Sequence, residues 1–309
     1  MTENLVLGSE SMIGRHLTRI LPKEGLYGSK HSEFNLLNYL RCSELFTQYK
    51  VGPHTTVYNL VGYNGGLPLN LSKPADIFYQ STQLNLNVLK CCQEYNVKKV
   101  VSIISACSYP STDYAMKEED LMNGYPNPSV ECHGFAKRTI LEFSRQLYKQ
   151  YNTRSISTVL TNCYGDGDRF DLTRTKVVGA AVRRLCDAKE NGDKSVTFYG
   201  TGNPVRELMS GDAAHCLIQI AENYDDYMNP INLGSDQLFS IKELVSRIVK
   251  IVGYTGKVVW DLGKPDGQMM RMLDNSKMHK YVNHKMTDFD DGLKKTIEYY
   301  ETVGRYLDR

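Results

Sequence analysis

The chain has 309 residues, 41% of them hydrophobic and 23% charged, with a net charge of +2. That length allows one large domain or two modest ones, and the composition excludes disordered, collagen-like and low-complexity chains. The near-balanced charge excludes a general basic field for nucleic acid or a membrane surface, and no apolar run approaches the roughly 18 residues of a membrane span.

The predicted elements begin at once. Leu5-Val6-Leu7 reads as a short strand ending at Gly8. It follows Met1-Thr2-Glu3-Asn4 directly, so no signal peptide is expected. A helix follows over 12–21, with Ile13, Leu17 and Leu21 on one face. A strand is expected over 56–61, stopped by Gly62, then a long helix over 74–95 opened by Pro74. The β-branched run over 100–104 has the composition of a buried parallel strand. A helix over 132–151 and a strand over 155–160 complete the alternation. Such alternation predicts an α/β fold, a Rossmann-type doubly wound parallel sheet with right-handed crossovers.

After residue 165 the texture changes to a polar loop over 166–175, a helix over 177–191, a short strand over 195–199, and helices over 241–252 and 290–303. These pieces predict a smaller C-terminal substrate-binding lobe that closes over the C-terminal edge of the sheet. The expected boundaries are 1–165 for the dinucleotide-binding domain, with about 207–240 returning to it, and 166–309 mainly for the lobe. The eight cysteines (Cys42, Cys91, Cys92, Cys107, Cys132, Cys163, Cys186 and Cys216) show no paired zinc spacing, so no metal is expected. Scattered thiols of this kind suit a reducing, cytoplasmic setting.

Between the first strand and first helix lies Gly8-Ser9-Glu10-Ser11-Met12-Ile13-Gly14. Gly8 permits a tight turn and Gly14 a close strand–helix approach, and the N–H groups that open the helix around Met12 and Ile13 suit a pyrophosphate. Ser11 stands where a middle glycine is usual, and its hydroxyl is a candidate phosphate ligand. Past the second strand there is no acid until Glu33. Lys30 and His31 could instead meet a 2′-phosphate, which favours NADP and leaves NAD open; the alternative reading of both is a solvated loop charge.

Five strings in order carry a resemblance: Asn64-Gly65-Gly66 with Pro74-Ala75-Asp76, Ser105-Ala106-Cys107-Ser108-Tyr109-Pro110, Thr161-Asn162-Cys163-Tyr164-Gly165, Gly200 through Glu207, and Gly267 through Asp274. The chain resembles the extended short-chain dehydrogenase/reductases and, within them, the GDP-L-fucose synthase family. The resemblance implies 3,5-epimerisation and 4-reduction of a GDP-4-keto-6-deoxymannose or a related GDP-4-keto sugar. It also implies NADP as cofactor and a homodimer through the helices near 77–95 and 132–151. Those helices carry Phe78, Leu84, Val88, Phe135, Ile140, Phe143 and Leu147, which suit either a buried face or a dimer seam.

Residue by residue, Ser105 matches the family's carbonyl-polarising serine and Lys137 its lysine. Four residues before Lys137 stands His133 where the family has its proton-donating tyrosine. A histidine there could donate the proton, act as a base in the reverse direction, or mark a site that binds without turning over. A neighbouring Lys⁺ should depress its pKa and leave it mostly neutral at pH 7. Cys107 matches the epimerising cysteine, a thiol that a nearby cation would help to ionise, or else it is a core cysteine. Lys176 stands at the position of the family's second epimerising residue, a histidine. For substrate, Asn162 and Arg206 match family contacts, Arg184 (with Arg183 beside it) should face the diphosphate, Tyr199 should lie near the base, and Arg271 replaces a lysine on the nucleotide. A dinucleotide and sugar-nucleotide binder with little turnover is the alternative to an enzyme.

Overall fold

The computed structural model describes residues 3–29, 34–264 and 266–307. The first half runs β1 (Glu3–Leu7), α1 (Met12–Ile20), β2 (Leu26–Ser29), α2 (Tyr39–Gln48), β3 (Thr55–Asn59), α3 (Leu67–Ser72), α4 (Pro74–Glu94), β4 (Lys99–Ser105), α5 (Glu131–Tyr151) and β5 (Ser155–Leu160). The second half runs β6 (Asn162–Cys163), α6 (Val177–Asn191), β7 (Ser195–Tyr199), β8 (Val205–Met209), α7 (Ala213–Asn223), β9 (Ile231–Leu233), β10 (Leu238–Ser240), α8 (Ile241–Val252), β11 (Lys257–Asp261), β12 (Met270–Arg271), α9 (Phe289–Tyr299) and α10 (Arg305–Leu307).

The large sheet has the order β2-β1-β3-β4-β5-β9, with every neighbouring pair parallel. Its inner strands are buried on nearly every residue of both faces, as parallel strands covered on both sides must be. One face packs Cys42, Phe46, Val88 and Ile140 from α2, α4 and α5, and the other packs Leu17, Leu217 and Ile220 from α1 and α7. Burying each such Leu, Ile or Phe contributes about 1.5–3 kcal/mol, so the two faces supply most of the drive for this layer. Strand order reverses between β1 and β3, which opens the crevice where ligands bind in such sheets.

The lobe starts earlier than residue 166, because β6 already pairs with β8. The segment returning to the large sheet is shorter than 207–240. It consists of α7 and β9, while β8 and β10 lie in a second sheet with β12 and β6. The helix over 241–252 matches α8, and the expected helix over 290–303 is α9 followed by a π-helical turn at Tyr300–Gly304. Helices α2 and α7 were not foreseen. Asn38 caps α2 through its side chain, and the central apolar run of α7, Cys216-Leu217-Ile218, is too short for periodicity to separate it from a buried strand. The lobe has its own core around Leu185, Leu244, Ile248 and Leu293. The helix pair α4 and α5 divides its apolar residues: Leu84, Val88, Ile140 and Leu147 enter the core, while Phe78 is exposed and Phe135 and Phe143 are half-buried.

Candidate active site

The glycine loop closes tightly. Gly8 has φ +81°, a conformation that L side chains rarely adopt. A Cβ on Gly14 would collide with the Gly8 carbonyl oxygen and stand 2.8 Å from Ser9 Cα. The Ser11 hydroxyl donates to the Gly8 carbonyl at 2.7 Å and accepts from the Gly14 N–H at 3.1 Å. It is thus the N-cap of α1 rather than a free phosphate ligand, and its role is to hold the loop's shape. Met12 and Ile13 occupy the first turn, where N–H groups have no partner inside the helix. Lys30 and His31 lie outside the described residues.

Across the crevice, Asn59 donates to Asn85 Oδ1 at 3.0 Å and to Ser102 Oγ at 3.3 Å. Ser81 Oγ donates to the Tyr63 carbonyl at 2.7 Å and accepts from its N–H at 3.2 Å. This buried polar network fixes the segment after β3. Lys137 reaches it from α5 and donates to the Val61 carbonyl at 3.0 Å. A Cβ on Gly62 would stand 3.3 Å from that Nζ, so the glycine leaves room for the lysine. The tight loop at the end of β1, the first turn of α1 and the buried Lys137 amine suit a dinucleotide lying over the switch point.

The turn after β4 carries the thiol. Ser105 ends the strand, and its hydroxyl accepts from the Cys107 N–H at 3.2 Å. Arg138 on α5 clamps this turn by donating to the Ser108 carbonyl at 2.8 Å and the Gly124 carbonyl at 2.7 Å. Gly134 permits the approach, since a Cβ there would meet the Cys107 carbonyl oxygen at 2.7 Å and Pro126 at 2.8 Å. The start of α5 is therefore pressed against the thiol turn, with His133 in its first turn.

His133 and Lys137, one helical turn apart, are 5% and 4% exposed. Burial first, then the charges of Lys137, Lys176 and Arg271, push the His133 pKa down to about 3. Its Nδ1 is buried without a hydrogen-bond partner among the described residues. Burial and the charge of Lys176 push Lys137 down to about 8. Cys107 responds in the opposite sense. Burial opposes its thiolate, but Arg271, a hydrogen bond with Ser105, Lys176 and Arg206 outweigh burial and hold the thiol below its ordinary value.

The lobe supplies the cations. Arg206 on β8 and Arg271 on β12 are register partners. Arg206 is half-buried, and burial with the neighbouring Arg271 lowers it to about 10. Arg271 Nη1 donates to Cys107 Sγ at 3.2 Å. Lys176 is the exposed residue before α6. Asn162 is half-buried on β6. Arg184 donates to the Thr197 carbonyl at 3.1 Å and lies 5.5 Å over the Tyr199 ring, which is 58% exposed. Arg183 turns away from that pair, to the Phe170 carbonyl at 3.0 Å and Asp187 at 3.6 Å.

Glu207, next to Arg206, was not singled out from sequence. It is fully buried and accepts from Ser235 N–H at 2.8 Å, Asp236 N–H at 2.9 Å, Asn275 Nδ2 at 2.7 Å and Leu273 N–H at 3.1 Å. It ties two loops to β8 and so fixes the strap that carries Arg271. A carboxylate directly before the apolar pair Leu208-Met209 was the available signal. Among the described residues no group of side chains could hold a metal.

The family model for the NAD dependent epimerase/dehydratase family matches residues 4–234. GDP-L-fucose synthase 1 from Arabidopsis thaliana is 30% identical over 302 residues, covering 96% of this chain and 92% of its own. Among solved structures, a GDP-6-OMe-4-keto-L-xylo-heptose reductase from C. jejuni superposes with a TM-score of 0.89 at 26% identity, covering 97% of this chain and 98% of that one. MlghC, a GDP-mannoheptose C4 reductase from Campylobacter jejuni with NADP bound, gives a TM-score of 0.85 at 27% identity over 97% and 99% of the two chains. With the switch-point crevice, the glycine loop and the α5 lysine in place, and a match across most of its length, the chain belongs to the NAD dependent epimerase/dehydratase family.

Proposed function

We propose that the protein is an NADP-dependent epimerase/reductase acting on GDP-4-keto-6-deoxymannose or a related GDP-4-keto sugar. The observation that carries this reading is the chain-long similarity to GDP-L-fucose synthases combined with Ser105, Cys107, His133 and Lys137 at one end of the sheet. NADP as cofactor is supported by two solved relatives with NADP bound, a GDP-L-fucose synthetase from Naegleria fowleri and the reductase MlghC.

Gly8, Met12, Ile13 and Gly14 would cradle the pyrophosphate, and Lys137 would hold the nicotinamide ribose. NADPH, when bound there, would supply the hydride for the carbonyl carbon. Ser105 polarises the carbonyl oxygen. His133 is neutral at pH 7, so its ring N–H orients that oxygen by hydrogen bonding. The ammonium of Lys137, with its pKa near 8, is the stronger acid of the two and provides the proton. For epimerisation, Cys107 as a thiolate takes a proton from the carbon beside the ketone, and Lys176 returns one. Arg184 and Arg206 bind the diphosphate, Asn162 the sugar, and Tyr199 the base. The exposed Phe78 with half-buried Phe135 and Phe143 forms the seam of a homodimer through α4 and α5. Eight free cysteines suit the reducing cytoplasm.

The test is NADPH oxidation with GDP-4-keto-6-deoxymannose, with products analysed after reaction in deuterated water. Turnover with label at C3 and C5 is expected. Tight binding of NADPH and GDP-sugar with no turnover would replace this reading with that of a binding protein, which the neutral His133 favours.

A further inference from the structure

We propose that Arg271 is a positioning residue for the thiol, held against Cys107 Sγ as the counter-ion of its thiolate form, and not primarily a ligand of the nucleotide. This inference rests on the epimerase part of the proposed function.

The guanidinium is committed on two sides. Its Nε and Nη2 both donate to Gln268 Oε1, at 3.1 and 2.9 Å, and its Nη1 donates to Cys107 Sγ at 3.2 Å. Arg271 is 9% and Gln268 7% exposed, so neither is a loose surface group. The strap that carries them is stitched down along its length. Val205 N–H donates to the Met269 carbonyl at 2.8 Å, Met116 N–H to the Met272 carbonyl at 3.0 Å, and Leu273 N–H to Glu207 at 3.1 Å. A planar fork anchored on its Nε/Nη2 edge by a glutamine holds Nη1 at one fixed point, and the acceptor there is the sulfur. Three of its five N–H groups are engaged in this way, and a diphosphate would have to share Arg271 with the thiol.

The other groups around Cys107 are accounted for. Ser105 lies on its own turn, Arg206 comes from β8, Lys176 from the start of α6, and Cys132 from α5. Arg206 donates to its own Val205 carbonyl at 2.8 Å, and Lys176 is exposed. Among these cations Arg271 is the one hydrogen-bonded to the sulfur. The thiolate can therefore act as a base. The C–H bond beside the ketone breaks and an S–H bond forms. The electron pair moves to the ketone oxygen as an enolate, which takes a proton at carbon from the Lys176 ammonium. The thiol and the amine then re-equilibrate with solvent.

The test needs no substrate. Alkylation of the full chain by iodoacetamide is followed against pH by peptide mass spectrometry, with Cys132 as the internal reference. In Arg271→Gln the midpoint for Cys107 should move up and its rate at pH 7 should fall about tenfold, with Arg271→Lys restoring most of it. GDP affinity, measured by calorimetry, should change little. An unchanged Cys107 midpoint with weakened GDP binding overturns the proposal and returns Arg271 to the nucleotide. If Arg271→Gln does not fold, Gln268→Ala keeps the charge but loses the anchor. A slower Cys107 is expected there, and an unchanged rate counts against the proposal. If the wild type shows the thiol effect but incorporates no deuterium at C3 or C5, the epimerase reading fails while the Arg271–Cys107 pairing stands.

Discussion

On the α5 side of the site, His133 faces Lys137, Lys176 and Arg271, and its pKa falls to about 3. On the side of the turn after β4, Cys107 faces Arg271, Lys176 and Arg206, and its pKa also falls. For a histidine a lower pKa means loss of charge at neutral pH, and for a thiol it means gain of charge. Burial and the cations together keep the imidazole neutral, while the cations shift the thiol toward its thiolate. Burial favours the neutral form of both groups, so it assists the first effect and opposes the second. The site is built to hold negative charge. In the proposed reaction the histidine at the proton-donor position stays uncharged and the proton comes from Lys137.

That contrast can be broken most severely at Lys137. Lys137→Met should lower the rate of carbonyl reduction by about a hundredfold or more, the usual scale for losing a general acid. By NMR the His133 pKa should rise, though burial keeps it below 6.5, while Cys107 alkylation should change little. A thiol midpoint that moves as far as the imidazole would show that the two sides are not separable. Glu207→Ala strikes the other side. It strips a partner from four donors and should cost about 3 kcal/mol or more in urea unfolding, and it should slow Cys107 alkylation by loosening the strap. Unchanged stability would mean that solvent replaces the carboxylate.

His133→Tyr puts an ionisable phenol where the neutral imidazole stands and should raise reduction about tenfold if proton supply limits the rate. An equal or lower rate would show a site adapted to histidine. The pH dependence of stability is a smaller effect with a definite sign. The folded His133 pKa of about 3 lies below the unfolded value near 6.5, so between them the unfolded chain binds the extra proton. This contribution is fully present above about pH 6.5 and is lost as pH falls toward 3, by at most about 1.4 kcal/mol per pH unit. His133→Gln should flatten the decline of stability between pH 7 and 5, and an identical slope would refute the depressed pKa. The mildest change is Tyr199→Ala. The ring is 58% exposed, so stability should shift by less than about 0.5 kcal/mol, while loss of its stacking and of the Arg184 contact should raise KM for the GDP-sugar about two- to fivefold.

The glycine loop, the helix that bears His133 and Lys137, and the β4 tip with Ser105 and Cys107 were all legible in the chain. Each is local: a strand, its turn and the next helix lie within about twenty residues, and their periods and glycines are written in order. The sense of the His133 shift was also legible, because Lys137 sits four residues away on the same helix face, but its main cause, burial, is tertiary. The capping use of Ser11 was not, since a hydroxyl in such a loop can face either the ligand or its own backbone. Neither was the split of the α4 and α5 residues between core and seam, since one amphipathic pattern serves both.

The sequence by itself determined the alternation, the family strings and the residue types at the site, because these depend on short-range pattern. Tertiary structure decided what those residues face. Arg271 belongs by its string to the nucleotide, yet it meets a sulfur 164 positions earlier in the chain. Glu207 collects partners from 28 to 68 positions away. A guanidinium goes to whichever acceptor the fold brings within about 3 Å, and no spacing rule carries that distance. The +2 net charge of the opening conceals the same fact: the charge is near balance in composition, and packing alone gathers Lys137, Lys176, Arg206 and Arg271 around one thiol turn.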